Sequence, residues 1–284
     1  MPLLDVIILA IVQGLTELLP VSSSAHVVVT EKLLGLNPSS PPMTLLLVML
    51  HTGTMFAVIV YFWRQWRDTY FESIAAFKKF AWFVVLATAL TGIFGLGIRE
   101  IIKKTRGVPH GEIEELFSHL ELIAPALAAA GILILIAGIV DKRSKTDKTN
   151  ELNTKQAGII GVVQGLCLPF RGFSRSGATI SAGMLSGLAK SRAETFSFAL
   201  AVVITPPIVA REAMRLVRAE HITGTANLAS AAFLSLLGAV FAFLAGLLAL
   251  KWLSRWLEHG QWYLFGIYCL AAAAAVAYLH SVGY

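Results

Sequence analysis

Near its start the chain reads Ile11-Val12-Gln13-Gly14-Leu15, and from position 162, which is 151 residues later, it reads Val162-Val163-Gln164-Gly165-Leu166. Each copy runs into a polar segment that contains proline, serine and charged side chains. The segment after the first copy, 16–26, is acidic, whereas the segment after the second copy, 167–179, is basic. The chain is therefore built from two related halves that differ in charge at corresponding points.

The composition is that of a membrane protein. Of the 284 residues, 56% are hydrophobic and only 14% are charged, with a mean hydropathy of +0.72, whereas a soluble domain carries roughly 25% charged residues. Six segments are apolar over about the 20 residues that a membrane-spanning helix needs, three in each half. The predicted spans are 44–63, 80–98, 122–140, 195–212, 227–250 and 262–280.

Two further apolar stretches, 2–36 and 153–189, begin the two halves and are interrupted midway by proline, serine and glycine. We expect each to form a re-entrant hairpin of two short helices. Irregular backbone is tolerated at membrane depth only where it is buried in protein or lines a cavity, so the two breaks are candidate walls of a site.

Three predicted spans separate the two hairpins, and an odd number of crossings brings the second hairpin in from the opposite face. The repeats 1–141 and 153–284 are therefore expected to be inverted, an arrangement that brings broken helices together near the midplane. The predicted fold is all-α and polytopic: one integral-membrane domain, 1–284, with six spanning helices and two re-entrant hairpins.

The positive charges indicate the orientation in the membrane. In this topology, thirteen of the 23 lysines and arginines lie on the face that carries the loops 64–79 and 141–155, and eight lie on the other face. Because cytoplasmic loops carry an excess of positive charge, these loops are predicted to be cytoplasmic. Both termini and the mouth of the first hairpin are then outside.

The acidic segment offers groups for metal binding and proton transfer. Gln13 and Glu17 are four residues apart and share one face of a helix, where they could hold a divalent cation such as Mg²⁺ or Ca²⁺ or position a water. A structural pairing of Glu17 with an arginine, or a proton relay in a transporter, is the alternative. The serines 22–24 are helix N-cap candidates, and His26 could act as a base for a neighbouring hydroxyl or for water.

The basic segment, 172–179, has the features of an anion site: flexible backbone, hydroxyl groups, a guanidinium and the start of a helix. Helix N-termini bind phosphate, and arginine matches its oxygens in bidentate fashion. Opposite the acidic segment, this pattern suits phosphoryl transfer on a lipid phosphate or pyrophosphate. His51 lies inside a predicted span, where a hydrogen bond between helices is a more frequent role than lining a cavity.

Two other functions are consistent with inverted repeats and a membrane-embedded carboxylate. One is a transporter or lipid flippase, and the other combines hydrolysis outside with return of the lipid carrier inward. The serine and histidine cluster facing an arginine and serine loop favours the enzyme, because transport of a lipid phosphate does not require it.

The two segments together resemble the undecaprenyl-pyrophosphate phosphatase family of the bacitracin-resistance type. The family motif (E/Q)-x-x-x-E followed by P-V-S-S-(T/S)-x-H is matched by Gln13, Glu17, Pro20, Val21, Ser22, Ser23, Ser24 and His26. The motif P-G-x-S-R-S-G-x-T is matched by Gly172, Ser174, Arg175, Ser176, Gly177 and Thr179. Arg171 stands where the family has proline and adds a second guanidinium, to which the resemblance assigns no role.

This resemblance, which extends over the whole chain, implies a hydrolase of the bacterial inner membrane that removes the terminal phosphate of undecaprenyl pyrophosphate. It implies Glu17 and Gln13 for the divalent cation or the water, Ser23 or Ser24 as nucleophile, His26 as acid and base, and Arg175 as phosphate clamp. Gly172, Ser174, Ser176, Gly177 and Thr179 would complete the phosphate site, which the charge bias of the loops predicts to open to the outer face. The expected partners are a polyprenyl pyrophosphate and membrane lipids, with no nucleic acid; a homodimer is left open.

Overall fold

The computed structural model describes residues 2–37, 40–106, 120–144, 148–223 and 228–283. Over these residues the chain forms ten α-helices and no β-strand. In chain order they are α1 (Leu3–Leu18), α2 (Ser23–Leu33), α3 (Pro41–Tyr70), α4 (Ile74–Arg106), α5 (Leu120–Arg143), α6 (Thr154–Cys167), α7 (Arg175–Leu185), α8 (Lys190–Thr223), α9 (Leu228–Glu258) and α10 (Trp262–Ser281). The predicted all-α class is confirmed.

The helices that begin each half, α1 with α2 and α6 with α7, are short for identifiable reasons. Pro20 and Pro169 follow closely on the ends of α1 and α6, and proline cannot continue a helix because it lacks the backbone N–H. Their lengths of 16, 11, 14 and 11 residues correspond to about 16–24 Å at 1.5 Å per residue. A hydrocarbon core of about 30 Å is thicker than that, so none of the four is long enough to cross a bilayer upright.

Five helices in the described part of the chain are long and apolar enough to cross a membrane. They cover Pro42–Tyr70, Ile74–Lys104, Leu120–Arg143, Ala231–Glu258 and Trp262–Ser281. Five of the predicted segments are thus confirmed. In one of them, 227–250, Asn227 lies outside the described residues, and 228–230 precede the candidate span. The sixth segment, 195–212, is helical within α8. Part of it lies outside the residues whose side chains the structure describes, and α8 is not among the five.

The two short hairpins pack reciprocally on the long helices of the opposite half. Helix α1 packs on α9 and helix α6 packs on α4. A Cβ atom on Gly14 would lie 2.6 Å from the carbonyl oxygen of Ala242, and one on Gly165 would lie 2.8 Å from that of Thr91. Gly165 is 151 residues after Gly14, as Ala242 is after Thr91, so the repeated glycine makes the same close contact twice.

Helix α7, which carries part of the basic segment, is tied to its neighbours by buried polar contacts. The hydroxyls of Thr179 and Ser197 share a hydrogen bond of 2.6 Å to α8, and Trp262 on α10 donates its indole N–H to the Ser181 hydroxyl at 3.0 Å. These two contacts hold α7 in a fixed position relative to α8 and α10. Helix α8 in turn packs on α3, where Phe62 stacks on Phe198 with ring centroids 5.4 Å apart.

Candidate active site

The two helix breaks meet at a cavity of about 170 Å³ that is lined by residues from 16–24 and from 167–176. In the described part of the chain, three contacts link these two segments directly. The backbone N–H of Gly172 donates to the Ser24 hydroxyl at 3.1 Å, and the Ser176 hydroxyl donates to the carbonyl of Leu19 at 3.3 Å. The third contact is an ion pair between the Arg175 guanidinium and the Glu17 carboxylate.

Glu17 is the centre of the polar contacts in this cavity. Its Oε2 accepts hydrogen bonds from the Gln13 amide at 3.1 Å and from the Ser23 hydroxyl at 2.5 Å. Its Oε1 lies 3.4 Å from Nη2 of Arg175. Gln13 reaches the carboxylate because residues four apart are stacked on one helix face, as the sequence predicts. A carboxylate held this way can accept the proton of the Ser23 hydroxyl.

The backbone of the turn between α1 and α2 is strained at Ser22. Ser22 has φ = 69°, a region that residues other than glycine rarely occupy and that costs on the order of 1–3 kcal/mol. Its hydroxyl lies 3.2 Å from that of Ser24, which also receives the Gly172 N–H. The Ser23 hydroxyl is therefore the one that points to Glu17, while the Ser24 hydroxyl joins the two hairpins.

His26 supports the strained turn. Its Nδ1 lies 2.8 Å from the carbonyl oxygen of Ser22, and its Nε2 lies 2.8 Å from the Tyr268 hydroxyl. Because a carbonyl only accepts hydrogen bonds, Nδ1 carries the proton, and Nε2 of the neutral ring accepts from tyrosine. The hydrogen bonds of His26 thus go to the Ser22 carbonyl and to α10. The sequence gives no signal for Tyr268, since tyrosine is common in spanning helices.

The basic segment presents donors to the cavity. Ser174 caps α7, its hydroxyl accepting from the backbone N–H of Gly177 at 3.2 Å, so the positive end of the helix lies at the cavity wall. Arg175 is bound to Glu17 through Nη2, while its buried Nη1 has no hydrogen-bond partner among the described residues. An unpaired guanidinium N–H beside a helix N-terminus is suited to a phosphate oxygen.

The six residues predicted to bind phosphate do not all reach the cavity. Ser174, Arg175 and Ser176 line it, and Gly172 lies beside it through its hydrogen bond to Ser24. The N–H of Gly177 is used by the cap on α7. Thr179 is fully buried behind the cavity, where its hydroxyl donates to the carbonyl of Arg175 at 2.8 Å, so it supports the arginine from behind.

His51 on α3 is a neighbour of the site for which the sequence favours a structural role. Its Nδ1 lies 2.8 Å from the carbonyl oxygen of Leu47, which leaves Nε2 facing Oε2 of Glu17 at 3.8 Å. The signal available in the sequence is an ionisable side chain inside a predicted span. The residue that it faces depends on how α3 packs beside α1, which the sequence does not specify.

The donors around Glu17 fit a divalent cation only in part. In the described part of the chain, no group of three or more histidine, cysteine, aspartate or glutamate side chains could hold a metal ion. Glu17 is one carboxylate, and Gln13 can add an amide oxygen if its side chain turns. Mg²⁺ is often bound by one or two carboxylates together with substrate phosphates and water, so these residues fit a cation whose other ligands come from the substrate.

A second cavity, of about 440 Å³, lies between α3, α8 and α9. Lys148 and Lys190 line it, and both pair with Asp141. Glu194 in its wall accepts a hydrogen bond from the Ser254 hydroxyl at 2.8 Å. The lysines of this second cavity are already paired, and it lacks the serine and arginine pattern of the smaller cavity. The smaller cavity is therefore the candidate active site.

Comparison with known proteins identifies the family. The family model described as bacitracin resistance protein BacA matches residues 6–275. The chain is 59% identical over 281 residues to undecaprenyl-diphosphatase 2 of Acinetobacter baylyi, covering 97% of each chain. It is 33% identical over 270 residues to undecaprenyl-diphosphatase of Halothermothrix orenii, covering 95% of each. The predicted family is thus confirmed, and the chain belongs to the BacA family.

Proposed function

We propose that this protein is an undecaprenyl-diphosphatase of the bacterial inner membrane. It hydrolyses undecaprenyl diphosphate to undecaprenyl phosphate and inorganic phosphate, which recycles the lipid carrier for peptidoglycan synthesis and accounts for bacitracin resistance in the family. The observation that carries this assignment is the contact between Glu17 of one hairpin and Arg175 of the other at a shared cavity. The relatives described above are named as phosphatases, and they give no support to a transporter.

The terminal phosphate binds on the basic side of the cavity. The unpaired Nη1 of Arg175 and the first backbone N–H groups of α7 supply positive charge where the phosphoryl oxygens lie. Phosphoryl transfer is catalysed mainly by positioning and by stabilising charge on these oxygens. Ser174 and Thr179 act indirectly, because one caps the helix and the other holds the arginine backbone.

Ser23 is the candidate nucleophile, and Glu17 is its base. In this scheme the Ser23 oxygen forms a bond to the terminal phosphorus, its proton passes to Glu17, and the anhydride bond breaks to release the lipid monophosphate. Water then hydrolyses the phosphoserine. Direct attack by a water held by Glu17 is the alternative and uses the same base. Ser24 is disfavoured as nucleophile, since its hydroxyl already accepts from Gly172.

The other site residues have supporting roles in this scheme. His26 holds the strained carbonyl of Ser22 and so fixes where Ser23 points. A divalent cation, Mg²⁺ or Ca²⁺, would be held by Glu17 and Gln13 and would neutralise charge on the substrate's phosphates.

The membrane arrangement is part of the proposal. The repeats 1–141 and 153–284 form inverted halves, with hairpins 2–36 and 153–189 re-entrant and α8 as the sixth span. The reciprocal contacts of Gly14 and Gly165 support this arrangement, as do the short hairpin helices. The charge bias of the loops supports an active site that opens outward. The orientation can be tested with the single variants Lys32→Cys and Lys148→Cys and a membrane-impermeant thiol reagent. If the site opens outward, only the cysteine at position 32 is labelled in intact cells.

Phosphate release from undecaprenyl diphosphate by detergent-purified protein tests the activity. We expect release by the wild type that a chelator abolishes, almost none from Glu17→Gln, and normal release from Glu151→Gln, whose carboxyl is 85% exposed and remote from the cavity. Binding of the lipid without phosphate release under any divalent cation would overturn the assignment.

A further inference from the structure

The larger cavity, of about 440 Å³, lies at a level where long helices end and begin. The candidate spans within α3 and α9 end at Tyr70 and Glu258, and α8 begins at Lys190. Residues towards these ends line the cavity, together with Lys148 of the loop 141–155. The cavity therefore lies near the membrane face that carries this loop, at the level of the lipid headgroups.

The wall of this cavity contains a buried carboxylate, Glu194 on α8. The residue is only 4% exposed. Its Oε1 accepts the hydrogen bond from the Ser254 hydroxyl at 2.8 Å, whereas its Oε2 accepts none from the residues that the structure describes. One hydrogen bond from a neutral hydroxyl does not compensate the burial of a carboxylate. Oε2 is therefore available to a donor that enters the cavity.

The lysines of the cavity do not supply that donor. Lys190 is four residues before Glu194 on the same helix face, the spacing at which ion pairs form along a helix. Its ammonium group instead lies 2.7 Å from a carboxylate oxygen of Asp141. Lys148 pairs with the same aspartate, whose side chain is 5% exposed. Within the described ranges, Glu194 and Glu258 form no ion pair, so these two carboxylates lack a cation from the protein.

The rest of the cavity wall suits a cationic group with an apolar part. Ser254 and Glu258 are four residues apart and share one face of α9, so a second carboxylate lines the cavity one turn beyond the hydroxyl bound to Glu194. Tyr61 and Phe62 of α3 contribute aromatic rings, and an aromatic face attracts an ammonium charge. Tyr61 is 36% exposed, so this wall continues onto the outer surface of α3.

We propose that this cavity binds the primary ammonium group of a phospholipid headgroup, as in phosphatidylethanolamine. A primary ammonium has three N–H donors, which suit Oε2 of Glu194 and the carboxylate of Glu258. A quaternary ammonium has no N–H to donate, and a headgroup with only negative charge is repelled by the two carboxylates. The level of the cavity and the exposed edge of Tyr61 favour a lipid over a soluble amine, because acyl chains can continue along α3.

Thermal unfolding of delipidated protein in detergent tests this proposal, since a ligand that binds only the folded state raises the melting temperature. Phosphatidylethanolamine, phosphatidylcholine and phosphatidylglycerol with identical acyl chains are titrated separately. We expect a saturable rise with phosphatidylethanolamine and roughly tenfold weaker binding, or less, of the other two. Phosphoethanolamine without acyl chains distinguishes a lipid from a soluble amine, and binding as tight as that of the lipid would overturn the choice of a lipid.

Two variants place the binding in this cavity. Glu194→Gln keeps the side-chain shape and the acceptor for Ser254, and it should weaken phosphatidylethanolamine binding roughly 10- to 100-fold, as for loss of a charged hydrogen bond. Glu258→Gln, at an exposed position, should weaken binding about two- to fivefold and provides the test if the first variant fails to fold. Glu151→Gln, whose carboxyl is 85% exposed, is the matched control.

The proposal is wrong if folded Glu194→Gln binds phosphatidylethanolamine as the wild type does, or if the three lipids bind equally well. Unfolding of each variant without lipid shows whether it is folded. Because the measurement requires no turnover and the cavity is separate from the one between the two hairpins, the result does not depend on the proposed hydrolysis.

Discussion

The two hairpins share a sequence pattern but use it differently. In the first, Gln13 donates to Glu17 in the cavity. In the second, the corresponding Gln164 donates to the Thr91 hydroxyl at 3.1 Å and joins α6 to α4. The repeat thus supplies one scaffold twice, while the proposed chemistry depends on the few positions at which the halves differ.

Those positions lie immediately after the repeated stretch. At a spacing of 151 residues, Glu17 corresponds to Leu168, and Ser23 corresponds to Ser174. The Ser23 hydroxyl donates to a carboxylate, whereas the Ser174 hydroxyl accepts a backbone N–H as a helix cap. In the proposed scheme, one hairpin therefore provides the base and nucleophile and the other provides the phosphate site, so neither half would be sufficient alone.

The largest loss of phosphate release is expected when the first hairpin is made to resemble the second. Glu17→Leu copies Leu168, removes the base and leaves Arg175 without its carboxylate partner. We expect phosphate release to fall roughly 10,000-fold, measured with undecaprenyl diphosphate at saturating concentration. Leu247→Met, a volume-conserving change in an apolar helix, controls for activity lost during expression and purification of a variant. Retention of more than a tenth of the activity would show that Glu17 is not the base.

Variants of the two corresponding serines, Ser23 and Ser174, should show different effects on activity and on thermal stability. Ser23→Ala should lower phosphate release roughly 1,000-fold with little change in melting temperature. Ser174→Ala should cost about 1 kcal/mol through loss of the helix cap, with a smaller loss of activity. Activity and thermal unfolding in the same detergent distinguish the two effects. Equal effects of the two variants on both readouts would contradict the assigned roles.

The smallest effect is expected from changing the close glycine contacts that both halves share. Gly14→Ala and Gly165→Ala each place a methyl group against the backbone of a facing helix, and overpacking of this kind costs about 1–3 kcal/mol. We expect similar losses of thermal stability from both, with Gly92→Ala, where a methyl group meets no atom within 4 Å, as the control. A loss from only one of the pair would weaken the inverted-repeat proposal.

Much of the site could be predicted because its signals are local. The prolines and glycines of the two breaks predict where helices end, and the charged residues beside them identify the cavity wall. The sequence does not place His51 and Tyr268 beside Glu17 and His26, since these contacts depend on how α3 and α10 pack. Thr179 fits the motif, but its hydroxyl bonds to the Arg175 carbonyl of its own helix and to the Ser197 hydroxyl on α8, away from the cavity.

Buried polar side chains in α8 show a different limit. The segment 195–212 is predicted from its apolar residues, but Thr195 and Ser197 within it are fully buried and hydrogen-bonded. The apolar length of the helix can be predicted from the sequence, whereas the partners of these polar side chains depend on how α8 packs against the rest of the protein.

A double-mutant cycle on Glu17 and Arg175 tests most directly whether the two hairpins build one site. Phosphate release is measured for wild type, Glu17→Gln, Arg175→Gln and the double variant under the same conditions. Because the two side chains act as a unit, the double variant should lose about as much activity as the worse single variant. If the two losses multiply instead, the carboxylate and the guanidinium act independently, and the shared site would be contradicted.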